Sequence, residues 1–227
     1  MAKLLLVSTP IGNLKDITLR AIETLEAVSV IACEDTRRTG LLLKKLEIKN
    51  SPQLFSYFEH NEEEKIDKII NLLREGVDVA LISDSGTPLI SDPGYKLVRK
   101  CLEEKIVVET IPGACAAISA LIGSGMPTDK FLFLGFLPQK KIKRERILKA
   151  LKKTGEDLSL TVIIYESPYK LLKTLKDLRA SFGNINLSLA RELTKIHEEI
   201  KKEKIDSLIE VYSKKKPKGE FVLLFSI

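Results

Sequence analysis

Apolar residues in this chain fall into two rhythms, short unbroken runs and stripes at helical spacing. The run Leu4-Leu5-Leu6-Val7 meets the turn Thr9-Pro10-Ile11-Gly12-Asn13, so residues 3–8 predict a buried strand. Leu14, Ile17, Ala21, Ile22, Leu25 and Val28 then recur with the period of a helix that buries one face. Val28 to Cys33 predicts a second strand running into the charged segment Glu34-Asp35-Thr36-Arg37-Arg38-Thr39, and Leu41 to Leu46 turns helical. Phe55 to Phe58 predicts a third strand. Asn61, with Glu64 three positions on, predicts the N-cap of a helix striped by Ile66, Ile69, Ile70 and Leu73, and Gly76 is placed to end it. A strand over 77–82, a helix over 95–104 and a strand over 106–111 follow. Strands alternating with helices predict a mainly parallel α/β sheet.

Pro112-Gly113 breaks this rhythm, and the small residues from Ala114 to Gly125 follow. We place a domain boundary there, giving N-terminal and C-terminal α/β domains over 1–112 and 113–227. The second half predicts strands at 131–136, 161–166, 187–191 and 220–226, with helices near 142–153, 169–181 and 205–212. Two such lobes imply a cleft between them, a usual home for a small ligand.

Polar, glycine-broken loops stand at the ends of these strands. The most informative is 83–94, Ser-Asp-Ser-Gly-Thr-Pro-Leu-Ile-Ser-Asp-Pro-Gly. Glycine lets a ligand approach the backbone and proline fixes the path of the loop. Asp84-Ser85-Gly86-Thr87 lacks the second acid two residues on that a phosphatase loop needs. Ser8 to Asn13 is neither a dinucleotide fingerprint nor a Walker loop. Glu34-Asp35-Thr36-Arg37 suits proton transfer and a bidentate grip on phosphate, or equally a surface salt-bridge cluster. His60 reads as a base or substrate contact, or as part of a capping segment. Tyr165-Glu166-Ser167-Pro168 and Ala190 to Lys195 repeat the pattern of polar strand ends.

Charge sharpens this picture. The chain of 227 residues carries a net +6, concentrated in Lys140, Lys141, Lys143, Arg144, Arg146, Lys149, Lys152 and Lys153, and again in Lys214, Lys215, Lys216 and Lys218. Such clusters read as solvated helix faces or as a nucleic-acid footprint. Cys33, Cys101 and Cys115 are too scattered for a disulfide framework or a zinc site, and two histidines do not make a metal centre. The opening apolar run is too short to span a membrane, so a cytoplasmic chain with no membrane partner is expected.

In order along the chain stand Ser8-Thr9-Pro10-Ile11-Gly12-Asn13-Leu14, Glu34-Asp35-Thr36-Arg37, 83–94, Ile111-Pro112-Gly113-Ala114 and Gly135-Phe136-Leu137-Pro138. Tyr165-Glu166-Ser167-Pro168, Ala190 to Lys195 and Lys218-Gly219-Glu220-Phe221 complete the set. From Lys3 to the C-terminus the chain resembles the ribosomal RNA small subunit methyltransferase I family, within the tetrapyrrole methylase superfamily. The resemblance implies a two-domain α/β fold that binds S-adenosylmethionine between its domains and works as a homodimer. It implies methylation of the ribose 2′-oxygen of a cytidine in the decoding region of 16S rRNA, within the small ribosomal subunit.

Carried over by position, the cofactor contacts are Ile11, Gly12, Gly86, Thr87, Pro88, Ile90, Ala114, Cys115 and Ala116, with Tyr165, Glu166, Arg191, Glu192 and Leu193 from the second half. Asp35, Glu34 and Asp84 are the catalytic base candidates, ahead of His60. Arg37 and Arg191 are placed to position phosphate or ribose. Arg37, Lys140, Lys141, Lys143, Arg144 and Arg146 are expected at the RNA. The reaction needs no metal. Phe58 and Tyr169 stand where the family usually has histidine, and the chain stops at the last strand of the methylase core, where many members carry a further module. Two rivals stay open: a methylase of the same fold acting on a tetrapyrrole or a modified protein histidine, and a non-catalytic RNA-binding assembly factor.

Overall fold

In the computed structural model, which describes residues 2–58 and 62–227, the chain divides into units Met1–Cys115 and Ala116–Ile227. The roles read from His60 and Asn61 lie outside the described residues. The first unit runs β1 (Lys3–Val7), α1 (Leu19–Ala27), β2 (Val30–Cys33), α2 (Thr36–Lys45), β3 (Gln53–Ser56), α3 (Glu62–Arg74), β4 (Val79–Leu81), α4 (Tyr95–Glu103) and β5 (Val107–Ile111). Its strands form one parallel sheet in the order β3-β2-β4-β1-β5.

Parallel strands covered on both faces need apolar residues at consecutive positions, which is why these strands read as runs. Leu4, Val30, Ala32, Val79 and Leu81 pack on one face against Ile66, Ile69, Ile70 and Leu73 of α3 and Leu97 and Cys101 of α4. Leu5, Val7, Ile31, Cys33, Ala80 and Ile82 pack on the other against Ala21 and Leu25 of α1 and Leu43 of α2. Helix starts follow capping chemistry rather than apolar spacing. The helix expected from Leu14 is instead a 3₁₀ turn at Leu14–Asp16 capped by Asn13, then α1 capped by Thr18, whose hydroxyl accepts from the Ala21 N–H at 3.1 Å. Similarly α2 starts at Thr36, well before the first leucine, because Asp35 caps it.

The second unit runs α5 (Ala116–Gly123), β6 (Phe131–Phe136), α6 (Lys141–Asp157), β7 (Thr161–Glu166), α7 (Leu171–Phe182), β8 (Asn186–Arg191), β9 (Glu199–Lys204), α8 (Ile205–Lys214) and β10 (Phe221–Ser226). Its sheet is mixed, in the order β6-β7-β10-β8-β9, with only β6 and β7 parallel. Val162, Ile164, Leu187, Leu189, Leu223 and Phe225 form a core with Leu148, Leu175 and Leu208 of α6, α7 and α8. The strand β9 was not expected from the sequence, because Glu-Ile-Lys-Lys-Glu-Lys carries a single apolar residue. It sits at the sheet edge, where lysines are tolerated and discourage pairing with another chain.

Candidate functional site

Beyond Val7 the first strand stays in register long enough for the Ser8 N–H to reach the Ile111 carbonyl at 3.1 Å. The next residue crosses to the β4 loop. The Thr9 N–H donates to the Gly86 carbonyl at 2.8 Å and the Gly86 N–H returns a bond to the Thr9 carbonyl at 3.2 Å. The Thr9 hydroxyl adds a bond to the Ser83 carbonyl at 3.2 Å. A third loop joins through Thr87, whose hydroxyl donates to the Ala114 carbonyl at 3.0 Å and accepts from the Ser8 hydroxyl at 3.2 Å. Three strand-end loops are thus tied together at the carboxyl edge of the sheet, the position where open α/β sheets take ligands.

The β4 loop holds an unusual backbone path. Gly86, Leu89, Ser91 and Gly94 all have positive φ, at 88°, 71°, 66° and 135°. Left-handed conformations in non-glycine residues cost energy and concentrate at ligand-binding loops. A Cβ on Gly86 would sit 3.1 Å from Ile11 Cγ2 and 3.5 Å from the Ala114 carbonyl oxygen, so the three loops meet at a spot only glycine fits. Ile11 and Pro88 are buried beside it, Gly12 and Ile90 are exposed, and Ala114 and Cys115 close the unit.

Acids gather on the β2 flank of the same edge. The Asp84 N–H donates to Glu34 Oε1 at 3.3 Å, and Asp84 Oδ1 accepts from the Asp35 N–H at 3.1 Å. Arg38 Nη1 lies 2.9 Å from Asp84 Oδ2. Burial pushes the Glu34 carboxyl above the usual range, with the bond from Asp84 N–H opposing. Asp92 is pushed up to about 7, first by burial and then by the charge of Glu34. Asp35 behaves oppositely. Its carboxylate caps α2 by accepting from the Arg37 N–H at 2.9 Å and pairs with the Arg37 guanidinium at 2.7 Å, which holds it well below the usual range. The structure therefore brings Glu34, Asp35 and Asp84 together but commits Asp35 and Arg37 to each other and to the helix start. Asp92 stands eight residues further along the loop than Asp84, and its proximity to Glu34 comes from the fold alone.

In the second unit the polar strand ends are heavily engaged. Tyr165 Oη accepts from the Ala117 N–H at 3.0 Å, beside Ala116, and its ring meets Phe133 edge-on at 4.9 Å. Glu166 is 4% exposed and binds the Thr174 hydroxyl and the Ser167 N–H, so its carboxylate holds the start of α7. Arg191 Nε donates to the Lys218 carbonyl at 2.7 Å, and Glu192 Oε1 accepts from the Glu220 N–H at 3.0 Å. Leu193 is buried. On α6, Lys140, Lys141, Lys143 and Arg146 are exposed, as are Lys149, Lys152 and Lys153. Arg144 is the correction. It is 4% exposed, pairs with Asp177 at 2.6 Å and donates to the Pro138 and Gln139 carbonyls at 3.0 Å, so it faces the core and not RNA.

Among the described residues no group of three or more His, Cys, Asp or Glu is placed to hold a metal, and no helix is long and apolar enough to cross a membrane. The family model for tetrapyrrole (corrin/porphyrin) methylases matches residues 3–209. The chain belongs to the tetrapyrrole methylase family. Within it, a Thermotoga maritima protein named ribosomal RNA small subunit methyltransferase I is 47% identical over 226 residues, covering 100% of this chain and 99% of that one. A Hydrogenobaculum protein of the same name is 49% identical, covering 99% and 95%. Among solved structures a diphthine synthase superposes with a TM-score of 0.71 at 14% identity, covering 98% of this chain and 89% of that one, which shows the shared fold. The expected two-domain α/β architecture is thus the family's.

Tetrapyrrole methylases take their methyl group from S-adenosylmethionine. The first-unit residues fit that donor. Ser8, Thr9, Ile11, Gly86, Thr87 and Ala114 offer backbone and small side chains without a lysine or arginine, which suits a ligand that already carries a sulfonium charge.

Proposed function

We propose that this chain methylates the ribose 2′-oxygen of a cytidine in the decoding region of 16S rRNA. The observation that carries the reading is the knot of three loops at Thr9, Gly86 and Ala114 with the carboxylates of Glu34 and Asp84 on its β2 flank. The relatives' shared name supports ribosomal RNA of the small subunit as substrate, and the exposed lysines of α6 supply the charge an RNA backbone needs. Tetrapyrroles carry carboxylate side chains that could also meet that charge, so it is the relatives' shared name that favours RNA over them, and a non-catalytic role would leave the strained β4 loop without a purpose.

Bound S-adenosylmethionine supplies an electrophilic methyl carbon, and the chain has three tasks beside it. Ile11, Gly12, Gly86, Thr87 and Pro88 hold the donor through backbone and packing. The tie between Thr9 and Gly86 fixes their spacing, which matters because displacement demands an aligned acceptor. Glu34 takes the proton of the attacking hydroxyl. Burial raises its affinity for a proton, which makes it a better general base than Asp35, whose carboxylate is held acidic and engaged by Arg37.

The test is transfer of labelled methyl from S-adenosylmethionine to small ribosomal subunits purified from cells lacking the protein, with the product mapped for ribose methylation. Labelled cytidine ribose is expected, and label on a base or on protein would reject the reading. Glu34→Gln should lower kcat about 100-fold or more while donor affinity by calorimetry stays unchanged. The wild-type rate should fall as pH drops and Glu34 gains its proton, and that limb should vanish in the variant.

A further inference from the structure

A cavity of about 280 Å³ opens on the β2 side of the Thr9–Gly86 tie, away from Thr87 and Ala114. Its wall is one face of α2. Arg38, Leu41, Leu42 and Lys45 follow the i, i+3, i+4, i+7 spacing that places side chains on a single helix face, and all four line the cavity. Leu43 of the same helix turns into the core, while the buried Thr39 also borders the cavity. Leu41 and Leu42 belong to neither hydrophobic core of the unit, and Leu41 is 60% exposed. Leu14 faces them from the β1 loop. Two cations therefore bracket an apolar strip that belongs to neither core.

The wall toward the β4 loop is polar. Asp84 accepts from Arg38 Nη1 at 2.9 Å, so a carboxylate and a guanidinium stand side by side at the cavity wall. Lys45 lies one turn beyond the leucines, at the exposed end of α2, and no carboxylate among the described residues pairs with it. Small-ligand sites run from about 300 Å³ upward, so this volume suits one nucleoside and not a length of chain.

We propose that this cavity is the acceptor pocket, which takes a single unstacked nucleotide of the RNA. The base packs on Leu41, Leu42 and Leu14, Asp84 and Arg38 read its pairing edge, and Lys45 meets its phosphate. Enzymes acting on one nucleotide within folded RNA must draw it from its stack, and they hold it between apolar side chains while reading its edge. An acceptor beside a donor matches cytosine, whose amino group donates while its ring nitrogen and carbonyl accept. Uracil presents a carbonyl where Asp84 needs a donor. The cavity shares the Thr9 tie and Gly12 with the donor loops, which puts acceptor and donor on opposite flanks of one short backbone bridge.

This inference rests on the RNA-methylating reading, and the experiment separates the two. Leu41→Trp fills the strip and Lys45→Glu reverses the phosphate contact, and both positions are exposed, so folding is retained and is checked by thermal melting. With small ribosomal subunits as acceptor, each should lower kcat/KM at least tenfold while calorimetric affinity for S-adenosylmethionine stays within twofold. Subunits reconstituted with uridine at the target should be poor acceptors for the wild type, and Asp84→Asn should narrow that preference. Normal kcat/KM in both exposed-site variants overturns the pocket alone. A parallel loss of donor affinity reassigns the cavity to the donor and overturns it as well. A wild-type chain that binds donor yet leaves the subunits unmethylated overturns the RNA reading, and the pocket with it.

Discussion

At the scale of single residues, the β4 loop sets two opposing demands. Gly86 must adopt a left-handed φ of 88° and leave no Cβ between Ile11 and Ala114. An alanine there carries both the backbone cost and a 3.1 Å contact. Gly86→Ala should lower stability by about 1–3 kcal/mol by urea titration and weaken donor binding measurably by calorimetry. Asp92 works in the other direction. Its carboxyl is pushed from 3.8 up to about 7, so between those values the folded chain keeps a proton that the unfolded chain has released. Stability contributed by this residue is therefore present at low pH and falls as pH rises through that window. Asp92→Asn should flatten the fall, gaining about 1–2 kcal/mol at pH 8 after discounting for partial exposure and nothing near pH 3. Melting temperatures of the two proteins across pH 3–8 check the sign.

At the scale of elements, Arg144 shows how a basic helix divides its charges. The neighbours Lys141, Lys143 and Arg146 point to solvent, while Arg144 turns inward to Asp177 and two carbonyls. It fixes the entry of α6 against α7. Removing Arg144 leaves the Pro138 and Gln139 carbonyls and the half-buried Asp177 without their donor, so Arg144→Met should cost about 2 kcal/mol by urea unfolding. Lys143→Met, one residue away and exposed, should cost within about 0.5 kcal/mol. The sequence could not separate these two cations, because a run of lysines and arginines carries no mark of which face is buried. It was more legible where burial is two-sided. Leu4 to Val7, Thr161 to Glu166 and Phe221 to Ser226 are near-continuous apolar runs, and each became a central strand. Phe131 to Phe136 reads the same way yet stands at an edge. The charged edge strand β9 escaped notice for the opposite reason, since its stability comes from pairing with β8 and not from its own side chains. For the candidate site, turn residues marked the loops, but the meeting of Asp92 with Glu34 and the free face of α2 needed the fold.

At the scale of the whole molecule, the net charge of +6 matters through its placement. Lys140 at the N-cap of α6 and Lys141, Lys143, Arg146, Lys149, Lys152 and Lys153 along it are all exposed, and among the described residues Lys141 alone of these has an ion-pair partner on the helix, Glu145 at 3.6 Å. Cations that meet phosphates release counterions, so affinity for RNA falls with salt in proportion to the number of contacts. If α6 is the main RNA-facing element, replacing Lys140, Lys141, Lys143 and Arg146 by alanine should flatten the slope of log affinity against log salt by about 2–3, a little under one per cation. Lys141 contributes least because an intrahelical carboxylate already compensates it. Arg144→Met belongs outside this set and should leave the slope unchanged in protein that remains folded. Donor affinity should be untouched, since none of these residues belongs to the β1, β4 or β5 loops. Filter binding to small ribosomal subunits at several salt concentrations reads the slope directly. An unchanged slope in the fourfold variant would move the RNA-binding surface elsewhere, with the lysines at 214, 215, 216 and 218 the next basic cluster to replace.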